Sequence, residues 1–293
     1  MSYPVYGIAS NRQICNFGGK AVPSTGIVLS TVDLNDFVSW FLQGPPVVTA
    51  TRLSVAAQLT WLAKGVYLSD DFGAKKIAMS WRYYEKGGIP LSQSLALLTQ
   101  SDQQYLTFDN VHQVLVRCID VGAPSPINQV NPYAYDWTAT FEAPVPWMED
   151  INPTTMAPLS IGGSTGGVTT GFTIHYPGSV FCEPVFTIDI PNTNTATISE
   201  IKLQNTLTGE VLTINFGTPL AASTHWIITV DTANFKVSDQ LGSEYDMVGA
   251  FSRLQNNSST GTDNTFTIKV TTGSGALSGS TIAASYKSRW DFS

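Results

Sequence analysis

The amino-acid sequence predicts a mainly β protein, in which an α+β N-terminal domain with at least one helix is followed by an all-β sandwich. Three observations support this fold class. Residues 171–293 hold short stretches that alternate apolar and polar residues and are joined by Gly, Asn, Thr and Ser turns. Residues 1–150 combine alternating stretches with a helical apolar stripe, without βαβ regularity. A proline- and glycine-rich stretch separates the two parts.

The composition of the 293-residue chain narrows the function. Apolar residues make up 43% of the chain, which is ample for packed cores, whereas charged residues make up only 13%. The surface is therefore expected to be covered by Ser, Thr, Asn and Gln, which suits a β protein that works inside an assembly. The net charge is −7, and no basic cluster is longer than Lys75-Lys76. This balance argues against specific nucleic-acid binding.

Four stretches of the N-terminal part are predicted to be strands. Residues 76–83 alternate, and residues 105–109 and 111–121 form two strands around an Asp-Asn turn. Residues 136–142 alternate again. The side chains expected to face inward from the first and last of these stretches are Ile77, Met79, Trp81, Tyr83, Trp137, Ala139 and Phe141.

One helix is predicted in the same part of the chain. Pro90, which suits a first helical turn, precedes Leu91, Leu95 and Leu98 at i, i+4 and i+7 spacing. Residues 32–42 leave two interpretations open, a helix with an apolar side or an aromatic loop.

The proline-rich and glycine-rich stretch between residues 143 and 171 has the composition of a linker. We therefore expect an N-terminal domain over residues 1–150, a linker over 151–170 and a β-sandwich over 171–293. In the sandwich, residues 186–190, 212–216, 226–230, 266–270 and 284–290 are predicted strands, and the first four are each expected to place their alternating apolar residues on one inward face. Residues 273–280 are predicted to form a flexible hairpin tip.

No group of side chains has a spacing typical of catalysis or metal binding. The histidines His112, His175 and His225 are isolated in the sequence, and the glycines at 162–167 lack the lysine of a phosphate loop. The carboxylate pairs Asp70-Asp71 and Glu149-Asp150 are interpreted as solvated turns. We therefore predict no catalytic, cofactor-binding or metal-binding residues, no cofactor and no enzymatic activity.

The three cysteines, Cys15, Cys118 and Cys182, are an odd number at wide spacing, which predicts buried reduced thiols rather than a disulfide framework. The first residues lack the pattern of a signal peptide, and no apolar run is long enough to span a bilayer.

Aromatic residues leave open an alternative function, carbohydrate binding by ring stacking. The candidates are Tyr133, Tyr135, Trp147, Trp226, Tyr245 and Trp290. Core packing accounts naturally for Trp226, whereas the three near the proline-rich stretch are expected to be exposed. Such aromatics suit a protein interface equally well.

Two stretches of the first half resemble the end of the first domain of siphophage distal tail (Dit) proteins. They are Leu106-Thr-Phe-Asp109 and Asn131-Pro-Tyr-Ala-Tyr-Asp-Trp-Thr-Ala-Thr-Phe-Glu142. The run Ile201-Lys-Leu-Gln-Asn-Thr-Leu-Thr-Gly-Glu-Val-Leu-Thr-Ile214, followed by residues 225–232, resembles the galectin-like C-terminal sandwich of that family. Residues 263–268 and 285–290 resemble its closing strands. Residues 1–60 match no segment of the family, and other tail-tip proteins share a similar first domain.

The resemblance implies a structural component of the virion, made in the host cytoplasm and located at the tail tip, or baseplate, of a long-tailed phage. Its N-terminal domains would form a homo-hexameric ring between the tail tube protein and the tail hub protein, and its sandwiches would project outward. A receptor-binding protein or a host saccharide would be a further partner. DNA would pass through the ring, so we expect Asp and Glu to dominate its inner wall.

Overall fold

The computed structural model describes residues 15–19, 32–34, 40–43, 47–50, 74–85, 96, 98, 103–107, 111–127, 134–145, 147–256 and 260–291. The chain divides into two compact units. The first comprises residues 1–151 together with 291–293, and the second comprises residues 152–290.

Alternating sequence patterns produce long strands in the first unit. Its strands are β1 (Asn16–Gly18), β2 (Val32–Asp33), β3 (Trp40–Leu42), β4 (Val47–Ala50), β5 (Lys75–Tyr84), β6 (Gln104–Thr107), β7 (His112–Val121), β8 (Ser125–Pro126), β9 (Ala134–Ala143) and β10 (Trp147–Asp150). They follow the order β2-β1-β6-β7-β9-β5-β3, while β4 also pairs with β5, β8 with β9 and β10 with β7. These pairs are antiparallel, both for β6 and β7, which follow each other closely, and for β1–β6 and β5–β9, which are far apart along the chain.

The core of the first unit lies on one face of β5 and β9. Every second residue of β5 from Lys75 to Tyr83 is buried, and the inward residues predicted for β5 and β9 are all buried, which confirms both predicted faces. Trp81 lies directly opposite Trp137 in the β5–β9 register, and their rings stack at 4.8 Å between centroids. Trp40 packs edge-on against both, at 6.2 and 5.3 Å. Stacked and edge-on aromatic pairs stabilise such a core beyond the area that they bury.

The α+β class predicted for the N-terminal domain is not supported, because every named element of its described residues is a strand. Of the predicted helix, Ala96 and Leu98 have helical backbone and Leu98 is buried, while residues 90–95 lie outside the described part. Residues 32–33 and 40–42 are strands, so neither end of the second proposed helix is helical. Leu34 and Trp40 are buried there, and their apolar character serves strand packing instead.

The second unit consists of two antiparallel sheets packed face to face. Its strands are β11 (Thr154–Thr155), β12 (Leu159–Ser160), β13 (Val168–Tyr176), β14 (Val185–Ile190), β15 (Thr197–Asn205), β16 (Val211–Leu220), β17 (Trp226–Asp231), β18 (Lys236–Ser238), β19 (Met247–Gly249), β20 (Thr262–Ser274) and β21 (Thr281–Tyr286), and β22 (Arg289–Asp291) spans the division between the units. One sheet has the order β11-β21-β14-β17-β18, with β12 also paired to β21, and the other has the order β13-β20-β15-β16-β19.

A single apolar core fills the space between these two sheets. The inward faces predicted for β14, β16 and β20 are confirmed, since all their residues are buried: Phe186, Ile188, Ile190, Leu212, Ile214, Phe216, Phe266, Ile268 and Val270. On β17, Ile228 and Val230 are buried, and Trp226 is half-buried against the same core. This arrangement is a β-sandwich with period-2 burial on both inner faces.

Two further segments of this unit bear on the sequence-based expectations. Within residues 151–170, predicted to be a linker, β11 and β12 pair with β21, and Ser164 forms a bridge with Thr271. The prediction that residues 273–280 form a hairpin tip is wrong, because β20 and β21 lie in different sheets. The segment crosses from one sheet to the other, and Leu277 anchors it by packing on the core and donating its N–H to the Gly163 carbonyl at 3.1 Å.

Candidate functional site

The three histidines are each brought beside a carboxylate by strand pairing. His175 lies opposite Asp263 in the β13–β20 register, and its Nδ1 is 2.8 Å from the carboxylate. His225 Nε2 lies 2.8 Å from Asp189, and His112 Nε2 lies 3.7 Å from Asp150. The first two pairs are exposed, where solvent weakens such contacts. Sequence spacing could not reveal them, because the partners are far apart along the chain.

Side chains that could hold a metal ion do not converge in the described residues, where no group of three or more His, Cys, Asp or Glu is present. Glu149 and Asp150 both lie in strand β10 and pair with β7, where Glu149 accepts a hydrogen bond from Gln113 Nε2 at 2.9 Å, so the interpretation of this pair as a solvated turn is wrong. The pair Asp70-Asp71 lies outside the described part. No helical segment in the described ranges has the length and hydropathy needed to cross a bilayer.

None of Cys15, Cys118 and Cys182 forms a disulfide within the described residues. Cys15 and Cys182 are buried and Cys118 is half-buried, so the predicted burial holds for two of the three. Burial raises the pKa of the Cys15 thiol far above its ordinary range, and burial also raises that of Cys118. A raised pKa keeps these thiols protonated and poorly nucleophilic near neutral pH.

The aromatic side chains proposed for sugar stacking are half-buried where the structure describes them. Trp226 and Tyr245 pack against the sandwich core, and Trp226 Nε1 donates to the Ala221 carbonyl at 3.0 Å. Tyr245 packs edge-on against Phe216, with 5.0 Å between ring centroids. Tyr133 lies outside the described residues. The geometry of Trp226 and Tyr245 is therefore that of core packing, with the polar tip of each ring satisfied internally.

A buried aspartate organises the loop between β18 and β19. Asp239 accepts hydrogen bonds from the N–H groups of Leu241 and Ser243 at 2.8 and 2.9 Å, and from the Tyr245 hydroxyl at 2.8 Å. Burial opposes the charged form of Asp239, but these hydrogen bonds outweigh it and lower the pKa of the carboxyl. The result is a fixed loop with Leu241 79% exposed at its tip.

A cluster of aromatic and charged side chains lies where residues 180–184 meet residues 251–255. Cys182 and Leu254 form an antiparallel bridge, with N–H to carbonyl distances of 3.1 and 2.9 Å. Burial alternates on both segments, so Phe181 and Glu183 share the outward side with Phe251 and Arg253.

Electrostatic contacts complete this cluster. Arg289 Nη1 lies 2.5 Å from a Glu183 carboxylate oxygen, while Arg253 Nε lies 3.7 Å from the other. The Arg253 guanidinium stands over the Phe181 ring, 4.7 Å from its centroid. We call Phe181, Glu183, Phe251, Arg253 and Arg289 the Arg253 patch. Sequence analysis missed it, because no local motif links residues so distant along the chain.

Comparison with known proteins shows no established family. No protein-family model matches the chain, and no curated protein matches its sequence.

Among solved structures, a chain of the phage P2 baseplate in its activated conformation with Ca has 10% sequence identity and a TM-score of 0.39 over 96% of this chain and 99% of that chain. A chain of the same baseplate with Sr has 9% identity and a TM-score of 0.36, again over 96% and 99%. A fructofuranosidase from Schwanniomyces occidentalis has 8% identity and a TM-score of 0.21 over 89% and 62%. TM-scores below 0.5 do not establish a shared fold, so function is argued from the residues.

Proposed function

We propose that this protein is a non-enzymatic structural component of a long-tailed phage tail tip, or baseplate, which forms a hexameric ring between the tail tube and the hub. The N-terminal unit would make the ring, and the C-terminal unit would be a galectin-like sandwich on its periphery. One observation carries the proposal. Sequence stretches that resemble distal tail proteins follow one another in the same order as in that family, and they occur in both units.

The positions of these stretches in the fold support the proposal. Residues 106–109 and 131–142 overlap β6 and β9, which flank β7 in the sheet of the first unit. Residues 201–214 cover the β15–β16 hairpin, and residues 225–232 cover β17. The resembling segments therefore fall on the paired strands that define each unit, where family features of a structural protein are expected.

The edge of the second sandwich sheet offers a further argument for a role in an assembly. Strand β13 is an edge strand that pairs with β20 over nine consecutive residues without a bulge. Its sequence, VTTGFTIHY, has no Lys, Asp, Glu or Pro, the residues with which monomeric proteins protect such edges. A strand of this kind suits a protein whose edges are covered by neighbouring subunits.

The native mass of the purified full-length protein tests the ring. Six copies of the 31.6 kDa chain give a species of about 190 kDa in sedimentation velocity experiments. Negative-stain images of that species are expected to show a ring with a central hole. A strict monomer at all concentrations, both alone and with the tail tube and hub proteins of its phage, would contradict the proposal.

The net charge of −7 leads to a second expectation for the ring. Acidic residues on its inner wall would repel the phosphate backbone and let DNA pass without binding. A reconstruction of the assembled ring with a basic lumen would remove this part of the proposal.

A further inference from the structure

We propose that the Arg253 patch binds an anionic oxygen group, a carboxylate or a phosphate, through the guanidinium of Arg253. The inference is independent of the ring, because it rests on contacts within the second unit.

Backbone contacts fix the position of Arg253. The Cys182–Leu254 bridge holds the neighbouring residue of each segment in an extended conformation, and the Asn205 side-chain amide donates to the Arg253 carbonyl at 3.0 Å. The backbone that carries the guanidinium is therefore tied to two other segments of the sandwich. A binding group mounted on a rigid backbone loses little conformational entropy when a ligand arrives.

The Phe181 ring then orients the side chain. The guanidinium carbon stands 4.7 Å from the ring centroid, in range for a cation–π contact, and only 24% of the side chain is exposed. A cation–π contact uses the charge of the guanidinium and not its N–H groups, so those donors stay available. Pairs of guanidinium N–H groups match the two oxygens of a carboxylate or phosphate.

The charges of the patch do not balance. Glu183 is the only carboxylate in it, and Arg289 holds that carboxylate at 2.5 Å. The 3.7 Å contact with Arg253 is too long for a hydrogen bond. Within the described residues, Arg253 thus has no carboxylate within hydrogen-bond distance, and its positive charge lies in a partly desolvated position.

The described residues also leave the N–H donors of Arg253 without a hydrogen-bond acceptor. Within the residues that the structure describes, its guanidinium donates no hydrogen bond, although the group carries five N–H donors. Water satisfies such donors but does not neutralise the charge, whereas an anionic group does both. Phe251, which shares the outward side, provides an apolar neighbour for the carbon part of an organic acid.

Isothermal titration calorimetry of the full-length protein tests the site. The probes are sodium D-glucuronate and inorganic phosphate, with D-glucose and sodium chloride at matched ionic strength as neutral and ionic controls. We expect saturable binding of at least one of the two anions and none of the controls. Tighter binding of glucuronate identifies a sugar-acid carboxylate as the ligand chemistry, and tighter binding of phosphate identifies a phosphoryl group.

Matched variants locate the binding. Arg253→Met removes the donors and keeps an apolar chain over Phe181, so affinity should fall about tenfold or more. Arg253→Lys keeps the charge but loses the bidentate hydrogen-bonding geometry, so its affinity for the anion should lie between those of the wild type and Arg253→Met. Arg82→Met, in the first unit, removes an arginine bonded to Asp136 and should leave binding unchanged. The proposal would be overturned if the wild type showed no saturable binding. It would also be overturned if the wild type, Arg253→Lys and Arg253→Met all bound the anion with equal affinity.

Discussion

Gly249 shows how a single residue permits the last pairing of a sheet. It has a φ of +117°, and a Cβ added there would lie 2.0 Å from the Val211 carbonyl oxygen. That oxygen accepts a hydrogen bond from the Ala250 N–H at 2.9 Å. The close approach of β19 to the beginning of β16 therefore requires a residue without a side chain.

Replacing this glycine should destabilise the second unit. Gly249→Ala combines a backbone conformation unfavourable to side chains with a clash against backbone, and should lower the free energy of unfolding by about 3 kcal/mol. Gly217→Ala is the control, because open space surrounds the corresponding Cβ, and its effect should stay within about 0.5 kcal/mol. Urea titrations followed by circular dichroism measure both. Equal effects of the two substitutions would contradict the steric account.

The Asp239 loop gives stability that depends on pH. Hydrogen bonds lower the pKa of Asp239, so their contribution is present above the ordinary aspartate pKa of about 3.9 and is lost as the pH falls through the lower folded value. Burial and Asp239 raise the pKa of Tyr245 to about 12, so the hydroxyl remains a donor throughout this range. Tyr245→Phe should cost about 1–2 kcal/mol at pH 7, and less as the pH falls below about 4.

A second tyrosine provides the control for this pH dependence. The Tyr286 hydroxyl donates to the His175 backbone carbonyl at 2.7 Å, an acceptor that does not titrate. The cost of Tyr286→Phe should therefore stay constant between pH 7 and pH 3. Unfolding free energies from urea titrations across this range test the comparison. If the loss of unfolding free energy caused by Tyr245→Phe did not change with pH, the ionised carboxylate of Asp239 would not be the acceptor through which the Tyr245 hydroxyl stabilises the fold.

Among the elements, position in the sheet sets the expected local stability. Strands β15 and β20 each have a neighbour on both sides, whereas β19 is a three-residue edge strand. Amide hydrogens of β15 and β20 should therefore exchange only on unfolding of the whole unit, and those of β19 should exchange at least about tenfold faster. Hydrogen exchange measured by mass spectrometry tests this order. Equal protection of β19 and β20 would contradict it.

Sequence patterns predicted these strands well where one face is buried. Alternation identified the inward residues of β5, β9, β14, β16 and β20, because period-2 burial leaves a direct mark on the sequence. The same patterns could not predict which strands pair. The error at residues 273–280 arose there, since a glycine-rich connection looks alike whether it closes a hairpin or crosses between sheets.

The Arg253 patch and the histidine–aspartate contacts were invisible for a related reason. Glu183 and Arg253 meet through a bridge between two irregular segments, which no local periodicity encodes. His175 and Asp263 meet only because of the β13–β20 register. The loop of Asp239 involves residues two to six positions apart, but an aspartate in a polar stretch is too common to single out.

At the scale of the whole molecule, two separate apolar cores predict two unfolding events. One core lies in residues 15–143 and the other in residues 161–286. Thermal unfolding should therefore deviate from a single two-state transition. Gly249→Ala should shift only the transition of the second unit. Differential scanning calorimetry measures both effects, and a single transition that moves as a whole would show that the two cores unfold together.

The division of the chain also has a consequence for the order of synthesis. Asp291 belongs to the first unit by its contacts, and its carboxylate lies 2.5 Å from the ammonium of Lys75, a residue that is 5% exposed. A ribosome makes Lys75 early and Asp291 only after all of residues 152–290. During translation the ion pair between Lys75 and Asp291 can therefore form only after the ribosome has made all strands of the second unit from β11 to β21. The unit that begins first is completed last.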